Sequence, residues 1–193
     1  IGVEPGAIVA NGGSAFERRV VPIRHEENRG VGGAIKTGYL RALEDGIDVT
    51  AVMAGDGQMD PDHLPSLLDP IVDGEADYAE GNRLVNDEYR REMPRFRLVG
   101  NALLTLLTKI ASGYWRTMDP QNGYTAISSH ALEAVDVASM YEGYGYPNDL
   151  LVRLNANELR VADVGMPAVY GDEESTIDYT TYVPKVSALL VRT

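Results

Sequence analysis

The stretch Ala51 to Asp62, AVMAGDGQMDPD, runs from an apolar strand-like segment into an acidic loop with glycines and then into a helix start. Loops in that position hold metals and phosphates, because their backbone turns freely and they lie beside the amides that open the next helix. Val52, Met53 and Ala54 end the buried-strand signal, and Gly55 and Gly57 loosen the backbone around Asp56. Asp60-Pro61 has the form of an N-cap followed by proline at the first helical position. The two aspartates therefore have different expected jobs. Asp60 caps the helix, and Asp56 is the ligand candidate, with a plain turn aspartate as its other reading.

Two further groupings bear on the same chemistry. Arg83, Arg90, Arg91, Arg95 and Arg97 fall within fifteen residues of an otherwise acidic chain. Guanidinium groups grip phosphate through paired hydrogen bonds, and a phosphate ligand would need local positive charge here. Pairing with Asp87, Glu88 and Glu92 is the competing reading, and both stay open. The segment Asn28 to Ala34, NRGVGGA, opens a helix and puts backbone amides where a negative ligand is favoured. It is not a P-loop, since no lysine followed by serine or threonine stands in the required order, and tight packing also selects glycine. Histidine, serine and aspartate are scattered with no nucleophile elbow and no hydrolase triad.

Composition narrows the field. With 193 residues, 44% of them hydrophobic, the chain is long enough for one domain with a sizeable core. It has no cysteine, which excludes disulfides and thiolate metal sites and leaves oxygen ligands with His25, His63 and His130, so a hard cation is favoured over zinc. A net charge of −12 argues against nucleic acid as a partner. Lys36, Lys109 and Lys185 are the only lysines, a bias associated with proteins that work in high salt. No stretch approaches the roughly 20 apolar residues that span a bilayer and no signal peptide is visible, so a cytoplasmic protein is expected. Starting at Ile1 and stopping at Thr193 after an apolar run, the sequence reads as a piece of a longer chain.

The elements that must position these residues alternate. Val20 to Arg24 is a short strand candidate, and Val31 to Asp45 carries Ile35, Tyr39, Ala42 and Leu43 at helical spacing. Val49 to Ala54 is a strand, Pro61 to Asp73 a helix with Leu64, Leu67, Leu68 and Ile71, and Asp77 to Gly81 the next strand. This succession predicts an α/β fold with a mainly parallel central sheet flanked by helices, in which ligands sit at the carboxyl ends of strands. Asp56 falls at such an end. A leucine-rich helix follows from about Phe96 to Ser112, then a turn at DPQNGY, a short helix capped by Ser129, a helix over Asn148 to Asn157 and a strand over Leu159 to Pro167.

The series HEENRGVGGAIKTGY, VMAGDGQMDPDHL, the glycine-asparagine-arginine of Gly81 to Arg83, MDPQNGYTAIS and GYPNDLLVRL resembles family 2 glycosyltransferases of the GT-A fold, and among them the polyprenyl-phosphate (dolichyl-phosphate) sugar transferases. The resemblance runs from about Val20 to Tyr170 and implies that residues 1–193 are a single glycosyltransferase catalytic domain. It implies transfer, with inversion, of a sugar from a nucleotide-diphosphate donor of the UDP-glucose or GDP-mannose type to a polyprenyl or dolichyl phosphate or similar acceptor. The work would be done at the cytoplasmic face of the membrane, with peripheral membrane association. The first strand and its nucleotide-binding acids are poorly represented, the run AIVANGGS at Ala7 to Ser14 being at best an echo, so the fold is expected with that strand degenerate or absent.

Carried onto this chain, the resemblance places the metal-binding acidic motif on Ala54, Asp56 and Gln58, with Ala54 where many relatives have a first aspartate. Asp56 and Gln58 are then the metal ligands, for Mg2+ or Mn2+, and with Asn28 and Gly30 the donor-binding residues. Arg83, Arg95 and Arg97 match positions for acceptor or phosphate binding, and Asp149 the acidic position near the acceptor, so Asp56 and Asp149 carry the catalytic assignment. Asp149 also has a plain reading as a carboxylate favoured in the first turn of a helix. A sugar hydroxyl acceptor would need it as a general base, whereas a lipid phosphate is already an anion and would need it only to orient. Two alternatives accompany this reading. One is a non-catalytic nucleotide-sugar-binding or scaffold relative, suggested by Ala54, and the other is a sugar-1-phosphate nucleotidyltransferase, whose activating loop and lysine are not seen.

Overall fold

The computed structural model describes residues 20–82, 108–110, 113–114 and 122–167. Their sheet consists of β1 (Val49–Val52), β2 (Tyr78–Asn82), β3 (Thr125–Ser128) and β4 (Val161–Gly165), in the spatial order β1-β3-β2-β4. Helices α1 (Gly30–Glu44), α2 (Leu64–Val72), α3 (Ser129–Ala134) and α4 (Tyr146–Ala156) accompany it, with 3-10 turns at Pro61–His63 and Val137–Ser139.

The α/β architecture is the expected one, but the sheet is mixed rather than mainly parallel in its pairings. β3 is antiparallel to both β1 and β2, and only β2 and β4 pair in parallel. β1, β2 and β4 do share one direction, and β1-α2-β2 is the parallel crossover unit that the alternation of elements predicts. The gap between its two strands is filled by β3, which arrives from more than forty residues further along the chain. Alternation of element types reports direction, not which strand will be the neighbour.

Side chains alternate between the faces of a strand, and here each face has its own core. Tyr78 and Ile127 pack with Tyr39 of α1, Leu132 of α3 and Leu150, Leu151 and Leu154 of α4. Ala79 and Ala126 turn the other way, toward Leu67 and Ile71 of α2, with Tyr124 and Met166. β2 is buried at all five positions, as suits a strand paired on both sides and covered on both faces.

Helix ends follow local chemistry. After α1, Gly46 at φ +67° lets its own N–H reach Leu43 O and the Ile47 N–H reach Ala42 O, the double closure of a Schellman motif. Gly74 at φ +71° closes α2 in the same way on Ile71 and Pro70. The predicted helix over 61–73 divides into the 3-10 turn and α2.

Three expectations need correction or delimiting. Residues 20–24 are irregular rather than a strand: Val20, Val21 and Ile23 are exposed, and Pro22 lacks the N–H that a ladder needs. The cap of α3 is Ser128, not Ser129, its hydroxyl accepting from the Ala131 N–H at 3.1 Å. Of the leucine-rich helix only 108–110 is described, and it is helical; the rest, the first three residues of DPQNGY and the degenerate first strand at Ala7 to Ser14 lie outside the described residues.

Candidate active site

The carboxyl ends of β1, β2 and β4 point to one edge of the sheet, and β3 begins there. That edge collects the 53–60 loop after β1, Asn82 at the end of β2, Met166 after β4 and the 122–124 segment entering β3. α1 and α4 each lead into the next strand through a short connection, so their N-termini return to the same edge.

On this edge Asp56 is exposed, with Oδ1 accepting the Gln58 N–H at 3.0 Å across Gly57 at φ +76°. Its Oδ2 accepts no hydrogen bond among the described residues. Asp60 is the helix cap that the sequence predicts: Oδ1 accepts the Asp62 N–H at 2.9 Å, and its carbonyl accepts from the His63 N–H and the Tyr124 hydroxyl, both at 3.2 Å. Between them Met59 acts as a peg. Its Sδ lies 3.1 Å from the Ala54 N, and a β-carbon at Gly123 would lie 3.3 Å from its Cε and 4.0 Å from the Tyr146 hydroxyl. Gly123 therefore fits between the acidic loop and the start of α4.

Asn122 is a site residue that the sequence reading missed. It is buried, donates from Nδ2 to Gly81 O at 2.6 Å and accepts the Tyr124 N–H on Oδ1 at 3.1 Å. Met166 and the Asn122 amide leave Gly81 no room for a β-carbon. Asn122 thus fixes the end of β2 just ahead of Arg83, which with Arg95 and Arg97 lies outside the described residues. Gln58, Asp60, His63, Asn122, Tyr124 and Met166 line a shallow cleft on this edge. The Asn122-Gly123 dipeptide signals only a turn; its partner, 41 positions away, leaves no local mark. Glu80, buried in β2 three residues before Arg83, was also missed, because its burial comes from the pairing and covering of the strand and not from its local sequence. Burial, and then the nearby Glu80 charge, push the Tyr78 hydroxyl well above its ordinary pKa.

Asn28 and Gly30 stand at the N-terminus of α1, where Asn28 Oδ1 accepts the Gly30 N–H at 2.8 Å. The glycines here meet protein backbone. A β-carbon on Gly30 would lie 2.6 Å from Glu142 O, one on Gly32 would lie 2.5 Å from Tyr141 O, and the Gly33 N–H donates to Glu142 O at 3.1 Å. Arg29 and Lys36 of the same element hold the Glu142 side chain, Lys36 at 3.0 Å. Hydrogen bonds from Arg29 and then Lys36 draw the Glu142 carboxyl down to about 2.

The residues that Glu142 anchors lead to Asp149. This aspartate lies in the first turn of α4, only 4% exposed, with Oδ2 accepting the Tyr141 N–H and the Arg153 Nε–H, each at 2.9 Å. Oδ1 accepts no hydrogen bond among the described residues. Its neighbour Asn148 is fully buried and takes a 2.6 Å hydrogen bond from the Thr108 hydroxyl. The structure thus brings Asp56, Gln58, Asn28, Gly30 and Asp149 to one edge of the sheet, the first two on an exposed loop and Asp149 within a packed shell.

Among the described residues no group of three or more His, Asp or Glu side chains could hold a metal ion. The acidic loop offers one carboxylate, on Asp56, and one amide oxygen, on Gln58. Those hard oxygen donors fit Mg2+ or Mn2+ where a diphosphate and water complete about six ligands.

An α/β sheet edge of this kind, with an acidic loop after one strand and a second carboxylate at the start of a later helix, is compatible with many chemistries, and the comparisons with known proteins narrow them. The family model described as glycosyl transferase family 2 matches residues 7–136, and the chain belongs to that family. It is 33% identical over 152 residues to the UDP-N-acetylglucosamine--dolichyl-phosphate N-acetylglucosaminyltransferase of Methanococcus voltae, covering 79% of this chain and 60% of that protein. It is 31% identical over 152 residues to the undecaprenyl-phosphate mannosyltransferase of Micrococcus luteus, covering 78% and 61%. The chain therefore spans about three-fifths of the length of these curated relatives. Among solved structures, glucosyl-3-phosphoglycerate synthase from Mycobacterium tuberculosis in complex with uridine diphosphate matches with a TM-score of 0.60 at 21% identity, over 89% of this chain and 56% of that one. The same enzyme in complex with Mn2+, uridine-diphosphate-glucose and phosphoglyceric acid matches with a TM-score of 0.60 at 20% identity, over 89% and 56%. The fold is GT-A. No helix of the described residues is long and apolar enough to cross a membrane.

Proposed function

We propose that this chain carries the catalytic core of an inverting glycosyltransferase that moves a sugar from a nucleotide-diphosphate donor to a polyprenyl or dolichyl phosphate at the cytoplasmic face of a membrane. The observation that carries the reading is the placement, on one sheet edge, of the exposed Asp56-Gln58 loop and of Asp149, a buried carboxylate with one oxygen that accepts no hydrogen bond among the described residues. Kinship with two lipid-phosphate sugar transferases supports the acceptor class.

In this reading Asp56 and Gln58 hold a Mg2+ or Mn2+ ion against the donor diphosphate, and Arg83, Arg95 and Arg97 supply further positive charge for phosphate. The ion, when bound, offsets the charge that builds on the leaving diphosphate. Asn28 and Gly30, at the N-terminus of α1, contribute to donor binding in the same reading. Asp149 faces an acceptor that is already anionic, so its work is to orient the attacking oxygen behind the anomeric carbon rather than to remove a proton.

The test uses the full-length protein with labelled UDP-N-acetylglucosamine, UDP-glucose or GDP-mannose, dolichyl phosphate in detergent, and Mg2+ or Mn2+. Label is expected in the lipid fraction with one of these donors, in the inverted anomeric configuration, and chelation is expected to abolish it. Failure of every nucleotide diphosphate to bind in the presence of metal would overturn the reading.

A further inference from the structure

We infer that Arg153 is the positioning residue of the acceptor-side carboxylate, fixing the rotation of Asp149 and balancing its charge so that an anionic acceptor can approach. The inference rests on the reading of Asp149 given above.

On an exposed helix, an aspartate and an arginine four residues apart contribute only a few tenths of a kcal/mol and exchange partners freely. This pair is different in its surroundings. The Asp149 side chain is 5% exposed and that of Arg153 23%. The guanidinium is also held at its far end: Nη1 donates to Asp136 O at 3.2 Å and to Ser139 Oγ at 2.7 Å, and Nη2 donates to Ser139 O at 3.0 Å. Every nitrogen of the fork is engaged, so the Nε–H aimed at Asp149 has one direction. With the Tyr141 N–H on the same oxygen, Oδ2 is pinned by two donors and Oδ1 is left in a single orientation.

The arrangement answers an electrostatic problem in the proposed reaction. A lipid phosphate and a bare carboxylate repel, most strongly where water is scarce. A guanidinium bonded to the carboxylate removes most of that repulsion while leaving Oδ1 available to orient the acceptor. Lysine at 153 would keep the charge but could not hold the 136–139 turn and Asp149 together, because an ammonium lacks the planar fork.

The experiment compares the full-length wild type, D149N, R153K and the double variant, with whichever of the three donors above the wild type uses and dolichyl phosphate as acceptor. Arg153→Lys is expected to lower kcat about 10- to 100-fold, as misplacement of a reacting group does, with donor KM within twofold of wild type. In the Asp149→Asn background the same change is expected to cost nothing further, because Arg153 acts through Asp149. Should R153K fold poorly by circular dichroism, S139A removes one anchor of the guanidinium. A smaller loss of kcat is expected from it, again absent in the D149N background. A kcat within twofold of wild type, or an equal loss with and without Asp149, would overturn the role of Arg153 and leave the Asp149 assignment standing. Unimpaired transfer by D149N alone would overturn both.

Discussion

The two carboxylates on this sheet edge are held in opposite ways. Asp56 accepts a hydrogen bond from a residue two positions on, in an exposed loop that glycines flank. Asp149 is buried and takes its bonds from a backbone N–H eight residues before it and from a guanidinium that is itself tied to a separate turn. In the reading proposed above, the donor side is thus locally built and open to completion by its ligand, whereas the acceptor side is organised in advance by tertiary packing. If the metal motif falls on this loop as the resemblance implies, Ala54 leaves it one carboxylate short, which would suit a cation that arrives with the donor.

Removing the donor-side carboxylate is expected to give the largest effect and to test the locality of that side. Asp56→Ala should lower transfer roughly 100- to 1,000-fold, the rate equivalent of losing a few kcal/mol of charge stabilisation on the leaving group. Stability should be nearly unchanged, because the side chain makes one short-range hydrogen bond in solvent. Calorimetry of nucleotide diphosphate and Mn2+ checks it, and unchanged binding in the variant would take Asp56 out of the site.

The acceptor side should respond to changes at a distance. Gly32→Ala lies inside α1, where alanine ordinarily stabilises a helix by up to about 1 kcal/mol. Here the new methyl would meet Tyr141 O at 2.5 Å and Glu142 C at 2.8 Å, both backbone atoms that cannot turn aside. Overpacking wins, and a net loss of about 1–3 kcal/mol is expected in urea unfolding. Transfer should fall as well, since Tyr141 supplies one of the two donors that pin Asp149. A stabilised variant would show that the 141–143 segment yields and would break the contrast.

Acid probes the same packing from the other partner. Glu142 has its carboxyl drawn down to about 2 by Arg29 and Lys36, below its ordinary 4.5. A depressed carboxylate contributes stability that is present above its unfolded value and is lost as pH falls through its folded value. The thermal midpoint of wild type should therefore approach that of Glu142→Gln as pH drops from about 4.5 to about 2. The pair is partly exposed, so added salt should narrow the gap at neutral pH too. A gap that is constant across this range would remove the ion pairs from the account.

What was legible in the sequence follows the same division. Asp60 as a cap, Asp56 at the end of a strand and the helical stripe of Ile35, Tyr39, Ala42 and Leu43 are all decided within a few residues, and the structure agrees with each. The order of motifs was enough for the family. What stayed hidden depends on partners far away in the chain: Asn122 on Gly81, Gly33 on Glu142, β3 between β1 and β2. Val20 to Arg24 misled for the same reason, since an apolar run becomes a strand only where a neighbouring strand accepts it.

The smallest effect belongs to the far end of α4. Its closing motif repeats that of α1 and α2, with the Glu158 N–H on Asn155 O at 2.9 Å and the Leu159 N–H on Leu154 O at 3.0 Å. The left-handed position, however, is held by Glu158 at φ +56° instead of glycine. A side chain in that conformation costs roughly 1–2 kcal/mol, and the exposed Glu158 carboxylate makes no hydrogen bond among the described residues that would offset it. Part of that gain is returned through the greater freedom of glycine in the unfolded chain, so Glu158→Gly is expected to stabilise by about 1 kcal/mol. The urea midpoint should rise at constant slope, while kcat and both KM values stay as in wild type, because the N-terminal turn bearing Asp149 is set by Arg153 and Tyr141. A change in kcat would show that the two ends of α4 are coupled, and the acceptor side would then be less rigid than its hydrogen bonds indicate.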